Sequence, residues 1–239
     1  MSVGIMQLGI DDLRTTYAEQ PDILVGTPGQ TPDGRIFRLA KAGATALDPG
    51  KLTVAATQAS AQENIAVAVA APIGATQVTV TLGAEAVAAN AYAQGQLAIT
   101  DGTGEGISYL ISGHPAAGSA GTLVVTLVEP LKVALATTTE VCLVKNTYSD
   151  IVISATDQAD AVAGVPNVAI PAANWGWVQT KGDCAVWADE TVTAGKAITI
   201  GTGAAGQVEQ LDAAGEPEIG VAKQALVDTE YRLATLSID

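Results

Sequence analysis

The sequence is poor in the residues that carry most protein chemistry. Its 239 residues include two cysteines, one histidine, one phenylalanine and two methionines. Two cysteines, Cys142 and Cys184, do not make a disulfide framework, so we expect both thiols to be unpaired and buried as small apolar groups. Zinc prefers four ligands, and only His114 could join the two thiols. We therefore predict no metal site and no cofactor.

Basic residues are also scarce. The chain has 11 Lys and Arg residues against 25 Asp and Glu residues, which gives a formal net charge of −14. It contains no run of Lys or Arg that would form the basic patch of a nucleic-acid-binding surface. The negative charge also disfavours binding to anionic membranes. We therefore expect no nucleic-acid partner and no membrane partner.

Long apolar runs are missing as well. No stretch of about 18 apolar residues is present, and no basic segment followed by an apolar one marks a signal peptide. The sequence thus predicts a protein that is made in a cytoplasm and stays soluble.

Small apolar residues, threonine and glycine make up much of what is present. Hydrophobic residues form 48% of the chain, and 25 glycines and 10 prolines interrupt it throughout. The segment 77–82 alternates between apolar residues and threonine or glutamine, as a half-buried strand does. Further short strand-like runs follow at intervals of roughly ten to fifteen residues, a spacing typical of sandwiches and barrels. We predict an all-β fold built from short-strand sandwich or barrel modules.

Composition divides the chain into three parts. Residues 1–50 contain Pro21, Pro28 and Pro32 and have few apolar side chains, which predicts an extended, irregular N-terminal arm that becomes ordered on a neighbouring subunit. A disordered tail is the alternative for this part. Residues 51–146 and 147–239 each have enough strand-like runs to form a β domain.

The three tryptophans lie together in residues 174–189. Trp175, Trp177 and Gln179 would share one side of an extended strand, because side chains alternate along a strand. Residues 181–183 are typical of a turn, and the run that follows them predicts a return strand carrying Trp187.

Large rings anchor cores and subunit contacts. We therefore predict that this hairpin, together with the alternating run 35–40, contributes packing or an interface. The candidate interface residues are Trp175, Trp177, Arg35, Phe37 and Arg38.

Motifs that could indicate catalysis are incomplete. Residues 101–106 have the spacing G-x-G-x-G before a strand, whereas a dinucleotide site needs G-x-G-x-x-G before a helix. Residues 201–206 lack the Gly-Lys-Ser/Thr of a phosphate-binding loop, so both segments are interpreted as turns. His114 lies in a Gly-His-Pro turn and is expected to be an exposed loop residue. With no paired carboxylates for acid–base chemistry, the sequence predicts no enzyme.

Four segments of the C-terminal part of the chain carry one pattern. In order along the sequence, it consists of a short strand, an acidic turn, x-Ala-Gly, G-x-V and I-G-x-A. These segments are Gly182-Asp183-Cys184-Ala185-Val186, Val192-Thr193-Ala194-Gly195-Lys196, Gly206-Gln207-Val208-Glu209 and Glu218-Ile219-Gly220-Val221-Ala222. In this order the region 180–239 resembles capsid decoration, or cement, proteins of tailed bacteriophages.

The resemblance implies a virion structural protein on the capsid surface. Such a protein binds the major capsid protein at symmetry axes of the assembled head, often as a homotrimer, and stabilises the head. Two other classes stay open. A tail or fibre module is one of them, although fibres usually show sustained repeats and this chain has none. A carbohydrate-binding β domain is the other, and its site would need Trp175 and Trp177 to be exposed.

Overall fold

The computed structural model describes residues 5–156, 158 and 161–239 and consists almost entirely of strands. The prediction of an all-β fold is confirmed. Among these described residues, one α-helix covers Ile10–Arg14 (α1) and one 3-10 turn covers Ser60–Gln62. The strands are Met6–Gln7 (β1), Pro28–Gln30 (β2), Ile36–Lys41 (β3), Thr53–Val54 (β4), Ile65–Val69 (β5), Gln77–Thr81 (β6), Gln96–Asp101 (β7), Ser108–Gly113 (β8), Thr122–Leu127 (β9), Glu140–Val144 (β10), Val152–Ile153 (β11), Val162–Pro166 (β12), Trp175–Trp187 (β13), Ala197–Ile200 (β14), Val208–Gln210 (β15), Gly220–Ala222 (β16) and Tyr231–Ser237 (β17).

The chain forms two compact units. One is continuous, Thr57–Asn146, and we call it the barrel unit. The other, the larger unit, combines residues up to Ala56 with Thr147–Asp239. The described residues of the N-terminal segment therefore do not stand apart as an arm, and they share one unit with the C-terminal part of the chain.

The barrel unit is a closed barrel of six antiparallel strands in the order β10-β5-β6-β9-β8-β7, in which β7 pairs with β10. Alternation explains its core: Val78 and Val80 on β6 are fully buried, while the residues between and beside them lie at or near the surface. A bulge in β5 between Val67 and Val69 interrupts its pairing with β6. Such bulges increase the local bend of a strand, which a closed barrel of this size needs.

The larger unit is organised around β13. The sheet runs in the order β1-β2-β3-β13-β17-β16-β14-β15, and β4, β11 and β12 pair beside this row. β3 pairs with β13 from Trp175 to Lys181, and β17 pairs with it from Lys181 to Trp187.

The predicted tryptophan hairpin is therefore wrong. Residues 181–183 do not reverse the chain, because β13 continues through them: the pairing with β3 on one edge ends at Lys181, and the pairing with β17 on the other edge begins there. Gly182, at φ +89°, and a register shift between Gln179 and Lys181 accommodate this change of pairing.

The apolar side chains of the N-terminal segment pack in a core that includes a residue from the C-terminal part of the chain. Phe37 and Leu39 on β3 are fully buried, and they pack with Leu8, Leu13 and Trp177. Trp177 is far away in sequence, so this contact requires the β3–β13 pairing. The prediction of a separate arm is wrong because it counted only the apolar residues available within residues 1–50.

Candidate functional site

Two of the five predicted interface residues lie in the interior. Trp177 is 1% exposed and Phe37 is fully buried, both in the cluster that also contains Leu8, Leu13 and Leu39. Neither ring can contact a partner in this fold. Their prediction as interface residues is therefore corrected. Side chains do alternate along both strands as expected, but the face that carries these two rings is the buried one.

The other three, Trp175, Arg35 and Arg38, are partly exposed. The Arg38 guanidinium binds the Asp239 carboxylate at 2.5 Å and lies 5.8 Å from the centroid of the Tyr148 ring. Arg38 Nη1 also donates to the Gly26 carbonyl at 3.0 Å. Arg38 is thus held by contacts within its own unit.

The same arrangement recurs three times in the larger unit. Each time, a basic side chain lies over an aromatic ring and also pairs with a carboxylate. The sets are Lys41 with Trp175 and Asp150, Arg35 with Phe37 and Asp33, and Lys51 with Trp187 and Asp48. A partly exposed cation–π contact contributes about 0.5–1 kcal/mol, and a surface ion pair contributes about 0–1 kcal/mol.

The third tryptophan lies next to an exposed tyrosine. Trp187 on β13 faces Tyr231 on β17, and their rings stack with centroids 6.5 Å apart. Tyr231 is 52% exposed, and Leu233, two residues further along the same face of β17, is 42% exposed. The face of the β13–β17 pair is therefore apolar at this point.

This face forms the floor of a groove of about 490 Å³ in the larger unit, and we call it the β13 groove. Ala185, Leu233 and Tyr231 line the floor, while Arg35 and Asn167 contribute polar side chains. The prediction of interface residues included Arg35 but missed the other four: Ala185 lies in a segment of the resemblance pattern without a predicted contact role, and Asn167, Tyr231 and Leu233 belong to no recognisable motif.

Asp183 lies at the polar side of the β13 groove. Its carboxylate accepts hydrogen bonds from Lys223 Nζ and, at 2.8 Å, from Thr235 Oγ1. The bond from Lys223, followed by the bond from Thr235, lowers the pKa of Asp183 below its ordinary value of 3.8. Asp183 therefore stays ionised and is already supplied with donors.

Both thiols are free, but their environments differ. Cys184 is 3% exposed, and burial raises its pKa to about 12. A thiol with so high a pKa is a poor nucleophile. Cys142, in the barrel unit, is only partly buried, and its thiol lies near the amide of Asn64.

His114 is buried, although the sequence predicted an exposed loop residue. Its Nε2 accepts a hydrogen bond from the Tyr92 backbone N–H at 3.0 Å, and its Nδ1–H donates to the Pro115 carbonyl at 2.8 Å. The Asn90 side chain in turn accepts from the His114 backbone N–H at 3.0 Å. The ring therefore fastens the segment that leads into β7, and both ring nitrogens are occupied.

The two glycine-containing segments are turns, as predicted. Residues 102–107 connect β7 to β8, and Gly102, Gly104 and Gly106 all have positive φ. Residues 201–207 connect β14 to β15, and their backbone N–H groups donate to Glu209 and Asp189. Burial, followed by the neighbouring carboxyl of Asp189, raises the pKa of Glu209. A loop whose N–H groups already bind two carboxylates of its own chain has little capacity left for a phosphate.

Within the part of the chain that the structure describes, no group of three or more His, Cys, Asp or Glu side chains could hold a metal ion. None of the helices described there is long and apolar enough to cross a bilayer.

Exposed large apolar side chains mark possible contact surfaces in both units. In the barrel unit they are Val69, Ile73 and Val128. In the larger unit they are Ile5, Met6, Ile10, Leu24, Val221, Tyr231 and Leu233. Of these, Tyr231 and Leu233 belong to a groove that also offers polar groups, so we take the β13 groove as the candidate functional site.

Comparison with known proteins finds no match to this chain among family models, characterised proteins or solved structures.

Proposed function

We propose that the protein is a capsid decoration protein of a tailed bacteriophage, that is, a virion structural protein without enzymatic activity. It binds the outer surface of the assembled head through the major capsid protein and stabilises the head. In this proposal it acts as a homo-oligomer, with a trimer favoured, and resides on the capsid surface.

The observation that supports this proposal is the way in which the four segments of the resemblance fold together. The first is part of β13, the second is the turn before β14, the third leads into β15 and the fourth forms β16. β13, β17, β16, β14 and β15 are neighbours in one sheet, and they share a core that includes Val186, Val208 and Ala222. The spacing of the segments thus corresponds to one structural module.

If the protein binds only the assembled shell, this selectivity is enough to stabilise the head. A ligand that binds only one state stabilises that state by mass action. Many copies act on one particle, so each contact can be modest and the sum large. The net charge of −14 helps to keep the protein soluble before it binds.

Of the alternatives, a carbohydrate-binding domain built on Trp175 and Trp177 loses its basis. Trp177 is buried, and the ring of Trp175 is covered on one side by Lys41.

Co-sedimentation with separated heads and tails of the phage that encodes the protein tests the proposal. We expect the protein to sediment with intact heads, to saturate at a fixed number of copies per head, and to raise the temperature at which the heads release DNA. Unassembled major capsid protein is the control and should bind weakly. Sedimentation with tails alone would replace the proposal by the tail-module alternative.

A further inference from the structure

The β13 groove contains a strand edge that lacks a partner strand. β3 pairs with β13 only as far as Lys181, and at the far end the Trp187 backbone N–H donates to the Gly50 carbonyl at 3.0 Å. β17 occupies the opposite edge of β13. Between Lys181 and Trp187, no strand in the described part of the chain pairs with the edge that faces away from β17.

Backbone alternation determines which groups face this gap. On β17, the Leu233 carbonyl accepts from Lys223, and the Ser237 N–H donates to Ile219, so the odd-numbered residues point away from β13. The even-numbered residues of β17 therefore bond to β13, and they lie opposite Cys184 and Val186.

It follows that the N–H groups of Asp183 and Ala185 point into the gap, as that of Trp187 does. The Asp183 carbonyl is already occupied, since it accepts from Gln179 Nε2 at 2.9 Å. Two backbone donors on a short strand edge thus remain for another chain. Free strand edges of this kind accept extended peptides, because main-chain hydrogen bonds supply affinity whatever the sequence.

The two ends of the β13 groove differ in chemistry. The floor at one end is the apolar surface of Ala185, Leu233 and Tyr231. At the other end, Arg35 binds Asp33 through Nε at 2.8 Å, and its remaining guanidinium N–H groups are not committed to a described carboxylate. An adjoining depression of about 250 Å³ is lined by Arg35 and Arg14, and Arg14 forms no ion pair with any residue in the described part of the chain.

We propose that the β13 groove binds an extended peptide segment of a partner protein. The segment adds as a short strand to the Asp183–Ala185 edge of β13. It lies on the same side of β13 as β3, beyond the point where β3 ends. An apolar side chain of the segment covers Ala185, Leu233 and Tyr231, and a carboxylate further along binds Arg35 and Arg14. Guanidinium groups bind carboxylates through paired hydrogen bonds, which gives the segment its direction.

The proposed occupant is a segment of another protein, and the titration below distinguishes it from a segment of a second copy of this chain. The proposal does not depend on the decoration role, since it specifies a kind of peptide and leaves the particle open.

Amide NMR titration of the full chain tests the proposal. The probes are four blocked tetrapeptides, acetyl-Thr-X-Thr-Glu-amide, with Val, Leu, Ile or Phe at X. We expect at least one to shift the amides of Asp183, Ala185 and Leu233. Replacing Glu by Lys in that peptide should weaken binding about tenfold, as the loss of one charge-assisted contact predicts. A peptide with an N-methylated backbone should not bind, because it cannot pair with the edge.

Two variants locate the binding. Leu233→Ser removes apolar floor from an exposed position and should weaken binding, while Val128→Ser makes the same kind of change on the barrel unit and should leave binding unchanged. Arg35→Gln should weaken the preference for Glu over Lys, and the double variant Arg14→Gln, Arg35→Gln should abolish it.

Several results would overturn the proposal. They are the absence of binding by all four peptides, equal binding of the N-methylated peptide, or shifts of the same amides by cellotetraose when no peptide binds. Concentration-dependent shifts of these amides in the peptide-free protein would identify a second copy as the occupant and would equally contradict it.

Discussion

The two units differ in whether the edges of their strands are paired. In the barrel unit every strand has two partners, because β7 closes onto β10. In the larger unit the sheet is not a closed barrel: β1 and β15 are the ends of its row, a single bridge joins Val208 of β15 to Ala188, and a stretch beside β13 is unpaired. Closure removes free backbone donors, whereas an open sheet keeps them.

The side chains of the two units also differ. The barrel core is built from aliphatic residues and two tyrosines, Tyr92 and Tyr109. All three tryptophans lie in the larger unit, as do the four cation–π contacts found among the described residues. The barrel unit thus leaves no strand edge unpaired, whereas the larger unit combines a free strand edge with aromatic and basic side chains.

The largest effect is expected from Trp177→Ala. Trp177 joins β13 to the N-terminal strands, and the loss of a buried tryptophan costs about 3–5 kcal/mol. Urea unfolding followed by tryptophan fluorescence reports on the larger unit, since the other two tryptophans also lie there. Trp175→Ala is the matched control and should cost less, because Trp175 is only partly buried. Equal effects would mean that the cluster around Phe37 does not hold the N-terminal strands.

A comparable change in the barrel unit should leave that fluorescence signal largely unchanged. Leu123, on β9, is 1% exposed, and Leu123→Ala should destabilise the barrel by about 2–5 kcal/mol. Hydrogen exchange of the barrel amides measures the loss. If the tryptophan transition moved by the same amount, the two units would unfold as one, and the distinction drawn between them would be lost.

A smaller effect is expected at His114. Replacing it by Ala leaves the buried Tyr92 N–H without its acceptor, which costs about 1–3 kcal/mol. His114→Gln keeps an acceptor and should recover part of the loss. Thermal unfolding of the three proteins gives the comparison, and an Ala variant as stable as the parent would show that the ring is not needed to fasten the turn.

The smallest effect concerns acid stability in the larger unit. Because the folded-state pKa of Asp183 is lowered, its ionised form stabilises the fold above the ordinary pKa of 3.8, and this contribution disappears as the pH falls through the lowered pKa. Its side chain is 42% exposed, so solvent screens the ion pair with Lys223. The contribution to stability is therefore about a few tenths of a kcal/mol, which is the lower end of the range for surface ion pairs. Thr235→Val should lessen the loss of stability between about pH 4 and pH 2, as read from urea midpoints. An unchanged pH dependence would mean that the bond from Thr235 is not significant.

Local patterns were sufficient for much of the fold. Alternation in residues 77–82 predicted β6, and glycine spacing predicted the turns at 101–106 and 201–206. These features depend on neighbouring residues alone, which is why the sequence was enough.

The errors share one cause. Residues 181–183 have the composition of a turn, yet β13 continues through them because β3 and β17 pair with it in succession. His114 follows a strand in a Gly-His-Pro turn, yet Tyr92 and Pro115 enclose it. In both cases the deciding partner lies outside the local segment.

The sequence by itself determined that the protein is all-β, acidic and assembled from short alternating strands, because strand periodicity and composition act over a few residues. Only the tertiary structure decided that the described part of the N-terminal segment joins the C-terminal sheet, that Trp177 and Phe37 are core residues, and that a groove with a free strand edge forms beside β13. Each of these depends on pairing between residues far apart in the chain, and hydrophobic periodicity specifies which face of a strand is buried but not which strand will cover it.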